Sequence, residues 1–165
     1  MDDAVGQIVE EWRRERPDLD PTPLLIIGRI DRLATTIDGL LRPPFAAAQL
    51  GNGDFDVLAA LRRSGAPYTL TPGELSRAML VTTGAVTKRL DRLERRGLVE
   101  RTVAADDARG RTVSLTPSGE AFVDELIERH FDRERDLLDG LTARERDKLA
   151  DLLGRLAISL EDDHD

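Results

Sequence analysis

Apolar residues recur every three or four positions along most of this chain, and proline or glycine separates one such run from the next. This spacing places the apolar side chains on one face of a helix. We expect Pro43-Pro44 to end the second run and Gly97 to end the fifth. The pattern predicts seven helices: Val5–Trp12, Leu24–Leu41, Asp54–Arg63, Thr71–Leu80, Thr83–Arg96, Thr116–Leu138 and a last helix that begins after Thr142.

Between the fifth and sixth predicted helices the pattern changes to short runs rich in valine and threonine. Leu98–Ala104 and Arg111–Leu115 read as two strands joined by a turn with Arg109 at its tip. The order is helix, turn, helix, hairpin, helix, which is that of a winged helix-turn-helix, whose second helix lies in the DNA major groove. The predicted fold is mainly α with a small β-wing, flanked by N- and C-terminal dimerisation helices.

The outer helices carry apolar faces too broad for a monomer of 165 residues to cover. We therefore expect residues 1–50 to form dimerisation helices and one side of an effector cleft, 51–116 the DNA-binding domain, and 117–165 further dimerisation helices. A two-fold dimer would present two recognition helices to a pseudo-palindromic site with half-sites about 34–36 Å apart.

Charge is distributed unevenly along the chain. The whole sequence has a net charge of −8, but residues 62–112 hold 11 basic and 6 acidic side chains. Five basic residues fall within the nine positions from Lys88 to Arg96. Because screening limits charge interactions to about 8–10 Å, a local basic patch is enough to bind phosphate. The alternative is a solvated helix face that happens to be basic.

Composition narrows the class of protein further. The absence of cysteine excludes disulfides and thiolate zinc sites. The longest strongly apolar run, Leu24–Ile27, is too short to span a membrane. His130 and His164 are the only histidines, and no nucleophile or phosphate-loop motif accompanies them. We expect a soluble cytoplasmic protein that is not an enzyme and needs no cofactor.

Two segments resemble the MarR family of bacterial transcriptional regulators. The recognition segment Thr83–Leu90 and its continuation Leu93–Val99 look like that family's helix and exit. Asp107-Ala108-Arg109, followed by Leu115-Thr116 and Gly119, is similar to its wing motif. The resemblance covers about residues 24–160. It implies a homodimeric DNA-binding regulator, expected to be a repressor, that a small effector commonly controls.

The resemblance also implies which residues touch DNA. Thr83, Thr87, Lys88 and Arg92 would face the major groove, and the wing would contribute Arg109 and Arg111. Arginine suits a narrow minor groove because the negative potential is enhanced there. For Arg109, the alternative is an ion pair with Asp107 that only stabilises the turn.

One branch of the family responds to urate, and this chain resembles it at Trp12, Asp56, Arg89 and Arg101. These four would line a cleft for an aromatic acid or a urate-like anion, with Trp12 stacking on the ring and an arginine pairing with an anionic oxygen. The structural alternative makes Trp12 a core residue and Asp56 a first-turn helix residue.

A winged helix can also serve as a protein–protein interaction module without sequence-specific DNA binding, because fold does not fix function. Such a module would tolerate acidic or apolar residues at positions 88, 92 and 109. Here all three are basic, which favours DNA.

Overall fold

A computed structural model describes residues 3–79, 82–103 and 111–162 of the chain. Its contacts divide the protein into two compact units, residues 1–50 and 51–165. The elements in chain order are α1 (Ala4–Glu15), α2 (Leu24–Ala47), α3 (Asp54–Arg63), β1 (Thr69–Leu70), α4 (Pro72–Ala78), α5 (Thr83–Arg95), β2 (Val99–Val103), β3 (Arg111–Leu115), α6 (Pro117–Leu137) and α7 (Ala143–Asp162).

The first unit is a helical hairpin in which α1 packs against α2. Asp3 caps α1 by accepting the Gly6 N–H at 2.8 Å, and it forms an ion pair with Arg29 of α2 at 2.8 Å. The hydrogen bond from Arg29 is the main reason that the pKa of Asp3 falls to about 2. One carboxylate therefore both caps the first helix and ties it to the second.

The predicted end of the second helix at Leu41 is wrong, because α2 continues through Pro43 and Pro44 to Ala47. Each proline removes one backbone donor, but its ring fixes φ close to the helical value. The hydrogen-bond ladder resumes beyond the prolines, where the Ala48 N–H donates to the Pro44 carbonyl at 3.0 Å. Helical backbone on both sides thus outweighs two missing donors.

The core of the second unit is formed by α3, α4 and α5, which pack on one another, together with the sheet and α6. Thr71 and Glu74 form the predicted capping box of α4, which fixes where that helix begins. Val86, Leu90 and Leu93 of α5 are buried, as their spacing predicted. Other fully buried apolar side chains come from α3, α4, the sheet and α6: Val57, Leu58, Leu61, Leu75, Val99, Val113 and Val123.

The sheet has three antiparallel strands in the order β1-β3-β2, whereas the sequence predicted only a two-stranded hairpin. The missed strand, β1, is two residues long and pairs Thr69 with Ser114 and Leu70 with Val113. Such a short strand has no alternation to detect, and it forms because β3 offers it a free edge. The hairpin register pairs Val99 with Leu115 and Val103 with Arg111.

Helix α6 begins against the backbone that leads into the wing. Thr116 caps it by accepting the Gly119 N–H at 3.0 Å, and the Thr116 hydroxyl donates to the Gly97 carbonyl at 2.6 Å. Gly97 has φ +68, the left-handed conformation predicted for the end of α5. Gly119 lies so close to the Leu98 carbonyl that a β-carbon there would overlap it.

The last helix, α7, begins with the predicted capping box between Thr142 and Glu145. It exposes a row of leucines and has no buried residue among those described. Across the described residues, no helix combines the length and apolar character needed to cross a bilayer.

We predict that Gly119→Ala lowers the free energy of unfolding by about 1–3 kcal/mol, because the added methyl group must displace backbone rather than a flexible side chain. Chemical denaturation followed by circular dichroism measures the change. Gly84→Ala is the control, since a β-carbon there meets nothing within 4 Å and alanine favours a helix. Equal stability of the two variants would contradict the close contact.

Candidate DNA-binding surface and its internal ion pairs

Helix α5 turns its buried apolar side chains inward and leaves Thr87 and Lys88 exposed. Thr83 is the first residue of this helix, and its side chain lies outside the described residues. Val86 and Leu90 fix the rotation of the helix because both are buried. The helix therefore presents at least one cation, Lys88, on the face predicted to meet DNA.

Arg92 was predicted to lie on the same face, but its guanidinium is bound to Asp54 at the first residue of α3. Nη2 of Arg92 lies 2.6 Å from Oδ1 of Asp54, and Nε lies 3.2 Å from both carboxylate oxygens. The Asp54 side chain is only 2% exposed, while that of Arg92 is 38% exposed. The hydrogen bond to Asp54 raises the pKa of Arg92.

The turn before Asp54 is held by two arginines of α5. Asp54 accepts the Gly51 N–H at 2.8 Å, and Arg92 donates to the Asn52 carbonyl at 3.4 Å. Gly53 has φ +76, and the Arg89 guanidinium occupies the space that a β-carbon would need there. Glycine at position 53 therefore suits the left-handed backbone, and any larger residue there would also have to displace the Arg89 guanidinium.

Arg89 itself is mostly buried, with 15% of its side chain exposed. Its Nη1 lies 3.8 Å from Oδ2 of Asp56 and 4.0 Å from the Met79 sulfur. The structure thus brings together Arg89 and Asp56, two of the four residues predicted for an effector site. An anion that competes with Asp56 for this arginine would act directly on α5.

Asp56 also lines a cavity of about 620 Å³ formed by α3, α6 and the end of α4. Met79 lines the same cavity, so Arg89 approaches one of its walls. The rest of the wall combines apolar and aromatic side chains with charged ones: Phe55, Ala59, Ala78, Ile127, His130 and Phe131 lie beside Arg62, Arg63 and Asp124. Such a mixture of flat apolar walls and a few charged groups is typical of sites for small organic ligands.

Arg101 of strand β2 is paired with two carboxylates of α5. Its Nη2 lies 2.5 Å from Oδ1 of Asp91, and its Nε lies 3.6 Å from Oε2 of Glu94. Nη2 of Arg101 also donates to the Thr87 carbonyl at 3.4 Å. Arg101 therefore ties strand β2 to α5. The structure does not bring it into contact with Arg89 or Asp56.

The remaining predicted residues fall in three places. Arg111 is the exposed first residue of β3. Arg109 and Asp107 lie outside the described residues. Trp12 belongs to the first unit, on α1, where 48% of it is exposed, although Val5 and Val9 of the same helix are buried. Trp12 is thus a surface residue of its unit and is not a core residue.

Sequence reasoning missed Asp54 and the two glycines before it. A Gly-x-Gly-Asp run ahead of an apolar stripe signals a tight turn and a helix start. Nothing in that run points to a partner 38 residues away in the chain. Only the packing of α5 on α3 brings Arg92 to Asp54.

The arrangement of α4, α5 and the β2–β3 hairpin defines a winged helix-turn-helix DNA-binding protein. The sequence model of the MarR family matches residues 49–110. The HTH-type transcriptional regulator PecS of Dickeya dadantii is 40% identical over 152 residues, which cover 92% of each chain. This chain belongs to the MarR family of transcriptional regulators.

Solved structures agree with this assignment. A mutant MarR from E. coli complexed with operator DNA gives a TM-score of 0.69 at 29% identity, covering 88% of this chain and 96% of that one. NadR in complex with 4-hydroxyphenylacetate gives 0.63 at 27% identity, covering 81% and 92%. The similarity extends over most of the chain, both to the structure solved with operator DNA and to the one solved with an aromatic acid.

Proposed function

We propose that this protein is a homodimeric cytoplasmic repressor, that it binds a pseudo-palindromic operator through α5 and the wing, and that a small anionic or aromatic effector releases it. The observation that carries the proposal is the exposed Lys88 on a helix whose apolar face is buried. The E. coli relative in complex with operator DNA supports it. No reaction is proposed, because the relatives are transcriptional regulators.

A homodimer is supported by apolar side chains that the single chain leaves uncovered. Helix α2 has no buried residue, yet it carries several isoleucines and leucines. Exposed apolar patches of this extent mark interaction surfaces. A second copy provides an identical complementary face, and two-fold pairing is the commonest form of assembly. The large apolar side chains with the highest exposed fractions on α2 and α7 are Ile26, Ile27, Leu33, Leu40, Leu152, Ile158 and Leu160.

On the DNA side, we assign Thr83, Thr87 and Lys88 to the major groove, and Arg109 and Arg111 to the wing's contact with DNA. Lys88 and Arg111 are exposed cations, so they can approach phosphates without breaking an internal ion pair described here. Phosphate contacts position the protein, and base contacts specify the sequence. Arg92 differs from these cations because its guanidinium is paired with Asp54.

The effector would bind near Arg89 and Asp56, with Trp12 and Arg101 as the further residues that the sequence singled out. A planar anion can pair with Arg89 in place of Asp56, whose side chain is 60% exposed. NadR, a family member of similar structure, was solved with 4-hydroxyphenylacetate, an aromatic acid. Movement of Arg89 would be transmitted to α5, because the arginine belongs to that helix.

We predict that Lys88→Ala and Arg109→Ala each weaken binding to the protein's own upstream intergenic DNA about tenfold. Each variant should also lower the salt-dependence slope by roughly 2, because a dimer loses two phosphate contacts. Fluorescence anisotropy with a labelled duplex at several salt concentrations measures both quantities. A wild-type affinity and slope in either variant would remove that residue from the interface.

Arg129→Gln provides the control for this titration. It removes an exposed cation on α6 that pairs with Glu125 at 2.6 Å, away from the recognition helix. Its affinity should stay within twofold of wild type. If wild-type protein binds no specific duplex even at low salt, the regulator proposal yields to the protein-interaction module.

We also predict that Trp12→Phe raises the effector concentration needed for release from DNA by about threefold to tenfold while leaving DNA affinity without effector unchanged. The reason is that a smaller ring stacks less well on a planar ligand. Urate and a panel of aromatic acids serve as probes in the same anisotropy assay. Direct binding is read from the fluorescence of Trp12, the only tryptophan. Equal loss of affinity and of response would make Trp12 structural.

A further inference from the structure

We propose that Asp54 and Arg92 form a positioning pair, in which Arg92 holds the recognition helix against the start of α3 and does not contact the operator. This inference rests on the proposed function, in that it takes α5 as the DNA-reading helix. It concerns a residue that sequence reasoning assigned to the major groove.

Both carboxylate oxygens of Asp54 accept hydrogen bonds. Oδ1 accepts from Nη2 of Arg92 at 2.6 Å, and Oδ2 accepts from the Gly51 N–H at 2.8 Å. Arg92 Nε reaches both oxygens at 3.2 Å. Arginine offers its donors in a rigid planar fork, so this two-sided contact fixes the direction of the whole side chain.

The burial of Asp54 determines that Arg92 points towards the protein interior. Asp54 is the one charged side chain that is fully buried among the residues the structure describes. If Arg92 swung out to a phosphate, the carboxylate would keep a single backbone donor in a site that solvent hardly reaches. A buried charge without its partner is strongly unfavourable. Arg92 is therefore held inward by the very group that it neutralises.

The glycines at positions 51 and 53 leave open the space that the side chains of Arg92 and Arg89 occupy. A β-carbon at Gly51 would lie 2.9 Å from Nε of Arg92 and 3.1 Å from Oδ2 of Asp54. At Gly53 the space is taken by the guanidinium of Arg89, one helical turn before Arg92. Arg89 and Arg92 of α5 thus both contact this turn. The turn directly follows Leu50, the last residue of the first unit.

The pair has a specific consequence for α5. Val86, Leu90 and Leu93 keep the helix on the core, but apolar contacts permit sliding and rotation more readily than a bidentate ion pair does. Lys88 lies one turn before Arg92. Its direction towards DNA therefore depends on the register that Arg92 sets.

The test is a double-mutant cycle on operator binding with Asp54→Asn, Arg92→Gln and the double variant. A positioning pair predicts that both single variants lose affinity by a similar factor of about tenfold, and that the double variant is no weaker than the weaker single one. Both single variants should also share one salt-dependence slope, because neither removes a phosphate contact of its own. Arg92→Lys, which keeps the charge without the fork, should restore only part of the affinity.

A direct DNA contact by Arg92 predicts the opposite pattern. Arg92→Gln would lose affinity and lower the slope by roughly 2 per dimer, while Asp54→Asn would bind as tightly as wild type or more tightly because it frees the arginine. That result would overturn the inference and leave the proposed function standing. Lower thermal stability with wild-type affinity in all variants would overturn it as well, since the pair would then be structural only.

All affinities are measured at a temperature where circular dichroism shows each variant folded. Glu125→Gln and Arg129→Gln form the matched control, because they break an exposed ion pair of α6 and should leave affinity within twofold of wild type. Failure of the wild-type protein to bind any specific duplex would overturn the proposed function first, and this inference with it.

Discussion

The structure of the second unit depends on one buried charge, the carboxylate of Asp54, and on the arginine that neutralises it. Asp54 is the first residue of α3, and its carboxylate accepts hydrogen bonds from the Gly51 N–H and from the Arg92 guanidinium. The ion pair thus joins a helix start, a turn and the recognition helix at one point. Because a buried carboxylate without its partner is strongly unfavourable, the ion pair disfavours arrangements that separate these three parts.

The basic segment is consequently less uniform than its composition indicates. Three arginines in and beside α5 form internal ion pairs. Arg92 pairs with Asp54, and Arg89 lies against Gly53 and pairs with Asp56. Arg101 pairs with Asp91 and Glu94. Lys88 is exposed on α5, one helical turn before Arg92. Local charge therefore singles out this region, but internal ion pairs decide which of its cations would remain available to DNA. The rest of the chain is acidic, which disfavours indiscriminate coating of nucleic acid.

Local signals predicted most of the elements, and long-range contacts account for what was missed. The Thr71–Glu74 box, Gly97 and the Val86–Leu93 spacing each carry their structure in a few neighbouring residues. Strand β1 exists only because β3 pairs with it, and α2 passes Pro43 because helix on both sides compensates for two lost donors. The bond between Asp54 and Arg92 spans 38 residues, so periodicity could place Arg92 on a face but not against its partner.

The most direct test of the account uses the absence of cysteine, which makes one introduced thiol unique. An iron chelate attached at Gly84→Cys, on exposed α5 with open space around it, should cleave the bound duplex at two places about 34–36 Å apart. The same chelate at Glu128→Cys on α6 should leave those places intact. Cleavage from position 128 and none from position 84, with specific binding retained by both, would contradict the assignment of α5 as the helix that meets DNA.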